Sequence, residues 1–81
     1  MRARVHVFFK ESIFDPQGNT VAESLKKVGF TQVKDVRMGK VIDILLETQV
    51  IEEARRAVTQ MCEKLLVNPV IESYRVEYLE K

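Results

Sequence analysis

The sequence has one cysteine, one histidine and no surplus of either charge. Each shortage removes a class of protein. A lone cysteine, Cys62, rules out an internal disulfide. With only His6 beside it, a structural zinc site is left almost without ligands. Thirteen Lys and Arg stand against twelve Asp and Glu, a net charge of +1. That balance gives no electrostatic reason to expect a nucleic acid or a membrane surface as partner. The apolar runs are far too short to span a bilayer. The opening Met1-Arg2-Ala3-Arg4 leads into an alternating pattern and not into the apolar stretch of a signal peptide. No Walker-type phosphate loop and no Gly-x-Gly-x-x-Gly occur. These shortages predict a soluble, cytoplasmic protein.

What is present is a globular composition. Hydrophobic residues make up 46% and charged residues 31% of 81 residues, which predicts one domain over residues 1–81. A chain near this size buries roughly 60% of the surface its unfolded form exposes. Its stability therefore calls for help from a disulfide, a metal or a partner. With the first two set aside, self-association or assembly with another protein remains.

The patterning predicts the elements. Ala3, Val5, Val7 and Phe9 alternate with Arg2, Arg4, His6, Phe8 and Lys10, the period of a half-buried strand. Asp15-Pro16 predicts a helix start, with Asp15 as N-cap and Pro16 at the first helical position. Val21, Leu25 and Val28 line one face of that helix, and Gly29 supplies a left-handed stop. Gly18 in the first turns costs up to about 1 kcal/mol relative to Ala. Either something approaches the backbone there or the first turn tolerates it, and the sequence alone favours tolerance. Phe30 to Met38 reads as a second strand, with Val33 out of phase, and Met38-Gly39-Lys40 as a tight turn. Val41 to Glu47 reads as a third strand. Apolar residues on both its faces predict a central or doubly covered position. A second helix is predicted from about Val50 to Leu66, capped by Thr48, with Ile51, Ala54, Ala57, Val58, Met61 and Leu65 as its stripe. Glu52 and Glu53 suit its start, and Asn68-Pro69 ends it. Val70 to Leu79 is the last strand, with Tyr74, Val76 and Tyr78 on one face. This order predicts an α+β, ferredoxin-like βαββαβ sandwich: a four-stranded antiparallel sheet with both helices on one face.

No catalytic constellation accompanies this pattern. Cys62 sits beside the apolar stripe and reads as a packed thiol, with no histidine in local reach. His6 lies among arginines on the outward face without an orienting partner. The fold hosts many functions, so each needs its own residues. The third strand lacks the aromatics of an RNA-recognition module. Lys10-Glu11-Ser12-Ile13 replaces the Cys-x-x-Cys of a metallochaperone, and no Arg or Gly lies between Phe8 and Asp15 for an acylphosphatase loop. A small-molecule-sensing regulatory domain of the ACT type stays open as the alternative. Two stretches stand out, Asp15-Pro16-Gln17-Gly18 and Asp35-Val36-Arg37-Met38-Gly39-Lys40. Taken singly they read as a capped helix start and a turn, although Arg37 and Lys40 around a glycine can bind an anion or a carboxylate.

Both stretches, with Lys10-Glu11-Ser12 before them and Cys62-Glu63-Lys64-Leu65-Leu66-Val67-Asn68-Pro69-Val70-Ile71-Glu72-Ser73-Tyr74 after, closely resemble the PurS family, the small subunit of phosphoribosylformylglycinamidine synthase. The resemblance covers essentially the whole chain. Val67 stands where alanine is common and Ser73 where an acidic residue is common. The resemblance implies a subunit of a glutamine-dependent carbon–nitrogen ligase in purine biosynthesis, with no catalytic, cofactor or metal residues of its own. It would bridge a glutaminase subunit and a large synthetase subunit and assist ammonia transfer between them. ATP and magnesium would be used by the synthetase, which converts formylglycinamide ribonucleotide to formylglycinamidine ribonucleotide. Asp15, Gln17, Gly18, Arg37, Gly39 and Lys40 are then the candidates for contact with the large subunits. Phe8, Val41 and Leu45, apolar on the faces opposite the helices, are the candidates for self-association as a homodimer or higher homo-oligomer.

Overall fold

The alternation at the start of the chain forms a strand. In the computed structural model, which describes residues 1–80, β1 (Arg2–Phe9) buries Ala3, Val5 and Val7 almost completely and turns its even-numbered residues outward. β1 is the central strand. It pairs antiparallel with β2 (Gly39–Leu45) on one side and β3 (Glu72–Leu79) on the other, in the order β2-β1-β3. The registers set Val5 opposite Ile42 and Val76, and Ala3 opposite Ile44 and Tyr78. One apolar layer therefore runs across all three strands.

The helix α2 (Ile51–Met61) covers that layer. Its Ala54 and Val58 are fully buried, and Cys62 just beyond it packs among Ala3, Val5, Val7, Val58 and Val67. Ile42, Ile44, Leu46, Leu66, Val76 and Tyr78 close around this core. The Arg55 guanidinium lies 5.6 Å from the centre of the Tyr78 ring, a cation–π contact that ties α2 to β3. Residue Val50 is the N-cap and offers no side-chain bond. Thr48 acts from two residues earlier: its hydroxyl accepts from the Val50 N–H at 3.1 Å and donates to Glu53 at 2.7 Å.

Three expectations are corrected. The predicted second helix is α-helical only to Met61, and Cys62–Leu66 forms a π-helical turn. Wider turns shift the phase of the stripe, so Leu65 points to solvent at 83% exposure while Leu66 packs on the core. The sheet has three strands, because residues 30–38 form no strand. In consequence β2, expected to be central or covered on both sides, is an edge strand with Val41 and Leu45 exposed. Finally, α1 (Pro16–Lys27) contributes nothing to the core cluster, which leaves α2 as its helical cover.

The reason for the lost strand lies at its predicted turn. Gly39 sits in β2 opposite Phe8, so close to β1 that an added Cβ would come within 2.7 Å of the Val7 carbonyl oxygen. From Val33 the chain runs without a turn into β2. Residues 10–38 thus form an arm, α1 going out and the segment 30–38 returning, reversed by Gly29 at φ 111°. The molecule measures 48 × 28 × 14 Å, with a radius of gyration of 16.1 Å. A compact domain of this length has about 12 Å.

Candidate functional site

The two stretches singled out in the sequence meet at the base of the arm. Asp15 caps α1: its Oδ1 accepts the Gly18 N–H at 2.9 Å, the bond an N-cap carboxylate makes. Its Oδ2 reaches across 23 positions of sequence to accept the Met38 N–H at 2.6 Å. One carboxylate therefore fixes both ends of the junction. Asp15 is only 3% exposed. The hydrogen bonds from Gly18 and then Met38, aided by the charge of Arg37, hold its carboxyl below the usual carboxylate range, against the opposing effect of burial.

Arg37 closes the junction from the other side. Its Nη2 donates to the carbonyls of Ile13 at 2.8 Å and Lys10 at 3.0 Å. These carbonyls belong to the connector between β1 and α1, where the Ile13 N–H also bonds to the Lys10 carbonyl. Gly18 explains how the returning segment comes so close. A Cβ there would lie 2.0 Å from the Val36 carbonyl oxygen, so the main chain of residue 36 occupies the space of the missing side chain.

Of the six candidate contact residues, Asp15, Gly18 and Arg37 spend their polar groups inside the chain. Gln17, Gly39 and Lys40 remain open and, with Met38, line one side of a shallow cavity of about 200 Å³ whose far side is Val7 to Phe9 and Glu72. The site is a shaped surface on which, among the described residues, the Lys40 ammonium and the Gln17 amide have no side-chain partner. Sequence reasoning marked both stretches but not their union, because nothing in either pattern signals that Asp15 and Met38 are hydrogen-bonded.

The candidates for self-association lie on the outer face of the sheet. Phe8, Val41 and Leu45 are 41%, 57% and 76% exposed. Between them runs a charged band. Arg4 forms a two-pronged bond to its cross-strand partner Asp43, at 2.8 and 3.2 Å. His6 meets Glu77 at 2.7 Å on the diagonal. The bonds from Arg4 and His6 lower the pKa of Asp43 and Glu77 respectively.

A second cleft, of about 300 Å³, lies between the π-helical turn and β3 and holds Cys62 and Tyr74. Burial raises the pKa of both groups, which keeps the thiol protonated and a poor nucleophile. Among the described residues no three His, Cys, Asp or Glu are grouped to hold a metal ion. Among the same residues no helix is long and apolar enough to cross a membrane.

This architecture recurs in known proteins. The family model described as PurS, phosphoribosylformylglycinamidine (FGAM) synthase, matches residues 2–80. The chain belongs to the PurS family. The PurS subunit of phosphoribosylformylglycinamidine synthase from Archaeoglobus fulgidus is 42% identical over 80 residues, 99% of this chain and all of that one. The structure of PurS from Bacillus subtilis matches with a TM-score of 0.84 at 42% identity, over 94% of each chain. A chain in the structure of PurLQS from Thermotoga maritima matches with a TM-score of 0.87 at 36% identity, over 96% of this chain and 95% of that one.

Proposed function

We propose that this chain acts as a non-catalytic bridge in phosphoribosylformylglycinamidine synthase, joining a glutaminase subunit to an ATP-dependent synthetase subunit and assisting the passage of ammonia between them. The observation that carries the reading is full-length likeness to a chain of a PurLQS assembly, combined with a surface built for contact. Ammonia released into water is diluted, whereas subunits held in register deliver it at high effective concentration. The contribution of a small bridge is therefore orientation. ATP and magnesium serve the synthetase subunit. The reaction consumes formylglycinamide ribonucleotide, glutamine and ATP, and yields formylglycinamidine ribonucleotide, glutamate, ADP and phosphate. The setting is the cytoplasm.

Two surfaces divide the work. The base of the arm meets the large subunits through Gln17, Gly39 and Lys40, in a shape held by Asp15, Gly18 and Arg37. The outer sheet face, with Phe8, Val41 and Leu45, serves self-association. The test is assembly on a sizing column with the glutaminase and synthetase subunits, followed by glutamine-dependent turnover. The wild-type chain should restore both. Lys40→Ala with Gln17→Ala should weaken assembly without unfolding the chain, since neither side chain is used internally. Turnover from glutamine that needs no small subunit would overturn the bridging role. Unchanged assembly of the double variant would remove the arm base as the contact.

A further inference from the structure

The stretch from Cys62 to Tyr74, noted in the sequence, has no part in fastening the arm. It supplies both walls of the cleft of about 300 Å³ between the π-helical turn and β3. That volume lies at the small end of ligand pockets. The wide turn is closed by the Val67 N–H, which donates to the Cys62 carbonyl at 3.1 Å, and wide turns of this kind are frequent at functional sites. Asn68 then fixes the rim. Its carbonyl accepts the N–H groups of Ile71 and Glu72 at 3.2 and 2.7 Å, and its side chain accepts that of Val70 at 3.1 Å. The cleft is therefore shaped before anything enters it.

Its apolar lining comes from Cys62, Val67, Pro69 and the Tyr74 ring. Glu63 brings a carboxylate from the helical wall, and Lys10 brings an ammonium from just beyond β1. Among the described residues neither side chain makes an ion pair. The second carboxylate, Glu72, already accepts the Asn68 N–H at 2.8 Å. The charge of Glu63 reaches into the cleft: behind burial, it is a further cause of the raised pKa of Cys62 and of Tyr74. Ser73 adds a hydroxyl beside that of Tyr74.

We propose that this cleft binds a free α-amino acid with an apolar side chain. The ligand carboxylate pairs with Lys10, its ammonium pairs with Glu63, and its side chain lies against Val67, Pro69 and the Tyr74 ring. The pattern of charge selects this class. A simple anion would meet Glu63 and Glu72, and a simple cation would meet Lys10. A nucleotide would bring its phosphates against two carboxylates. A zwitterion satisfies one group of each sign, and the apolar lining then takes its side chain.

Calorimetry on the isolated chain should show saturable binding of L-leucine or L-phenylalanine. Because binding is read on the isolated chain, the result does not depend on the bridging role. For each amino acid, the amine that lacks the carboxylate and the acid that lacks the ammonium should bind at least about tenfold more weakly. Lys10→Gln and Glu63→Gln should each weaken the amino acid by at least about tenfold as well. Both side chains are exposed, and the Lys10 carbonyl that holds Arg37 is untouched, so these variants keep their fold. Lys64→Gln, next to Glu63 but outside the cleft, should change nothing. Amide shifts on titration of the unmodified chain supply a readout that needs no variant, and they should cluster at Glu63, Ser73 and Tyr74. No saturable binding of either amino acid up to about 10 mM would overturn the proposal. So would equal binding of the amine or the acid, affinity unchanged in both cleft variants, or shifts that spare the cleft.

Discussion

Gly18→Ala should destabilise this protein, although helix propensity says the opposite. Position 18 lies in the first turns of α1, where replacing Gly by Ala ordinarily gains up to about 1 kcal/mol. Here the new methyl would stand 2.0 Å from the Val36 carbonyl oxygen and 2.9 Å from its carbon. Both atoms are main chain, so no rotamer change relieves the contact. Clearing it requires residues 30–38 to move about 1 Å away from α1. That motion pulls on the Asp15 to Met38 bond at 2.6 Å and on Arg37. Overpacking of this kind costs roughly 1–3 kcal/mol, which exceeds the propensity gain. The net loss is on the order of 1–2 kcal/mol. For a domain of this size each kcal/mol lowers Tm by about 4–8 °C. Scanning calorimetry measures this directly, and amide exchange locates it, with new fast exchange expected at Gly18 and Met38. A rise in Tm would refute the reasoning, since it would show that α1 and the returning segment separate freely.

Asp15, Asp43 and Glu77 all have lowered pKa values. The unfolded state therefore binds protons more readily, and their stabilisation is fully present above the ordinary carboxylate pKa of about 4. It is lost as pH falls through the lower folded values, so denaturant midpoints should be flat at neutral pH and drop in acid. Asp15→Asn should flatten part of that drop and lower stability at pH 7, because one amide oxygen cannot accept both N–H groups. Cys62→Ser should cost about 1–3 kcal/mol, by placing a hydroxyl without a partner in an apolar core. Cys62→Ala should cost less, as measured by urea denaturation.

The strands β1, β2 and β3 and both helices were legible because each rests on local periodicity. Alternation fixes which residues of β1 face inward whatever surrounds it. The Asp15-Pro16 start and the Gly29 stop of α1 are equally local, and both are present in the structure. The fourth strand failed for a nonlocal reason. The pattern over 30–38 permits a strand, and a glycine at 39 permits a turn, but neither reveals that this glycine is needed for close approach to Val7. The π-helical turn at 62–66 was invisible for a related reason. An apolar stripe at a spacing of 3.6 cannot show where the spacing widens, and Leu65 was placed inside when Leu66 belongs there. Gly18 shows the limit most plainly. Its two readings predict the same sequence, and only the position of Val36 separates them.

The same reasoning explains why residues marked as contacts became internal fasteners. Asp15 and Arg37 are charged and lie within three residues of a glycine in stretches that read as a helix start and a turn, which is how exposed recognition residues look in a sequence. It is also how a chain holds two loops together, because charged side chains satisfy backbone groups that no regular element can pair. Asp15 takes the N–H of Gly18 and Met38, and Arg37 supplies the carbonyls of Lys10 and Ile13. All four groups lie where β1 leaves the sheet and β2 enters it. A closed hairpin at Met38-Gly39 would have to break the Met38 bond and swing Arg37 away from its two carbonyls. In exchange it would give residues 34–37 their strand partners. The bonds at the base of the arm therefore do more than shape the surface around Gln17 and Lys40. They also fix where α1 and the returning segment 30–38 leave and rejoin the sheet.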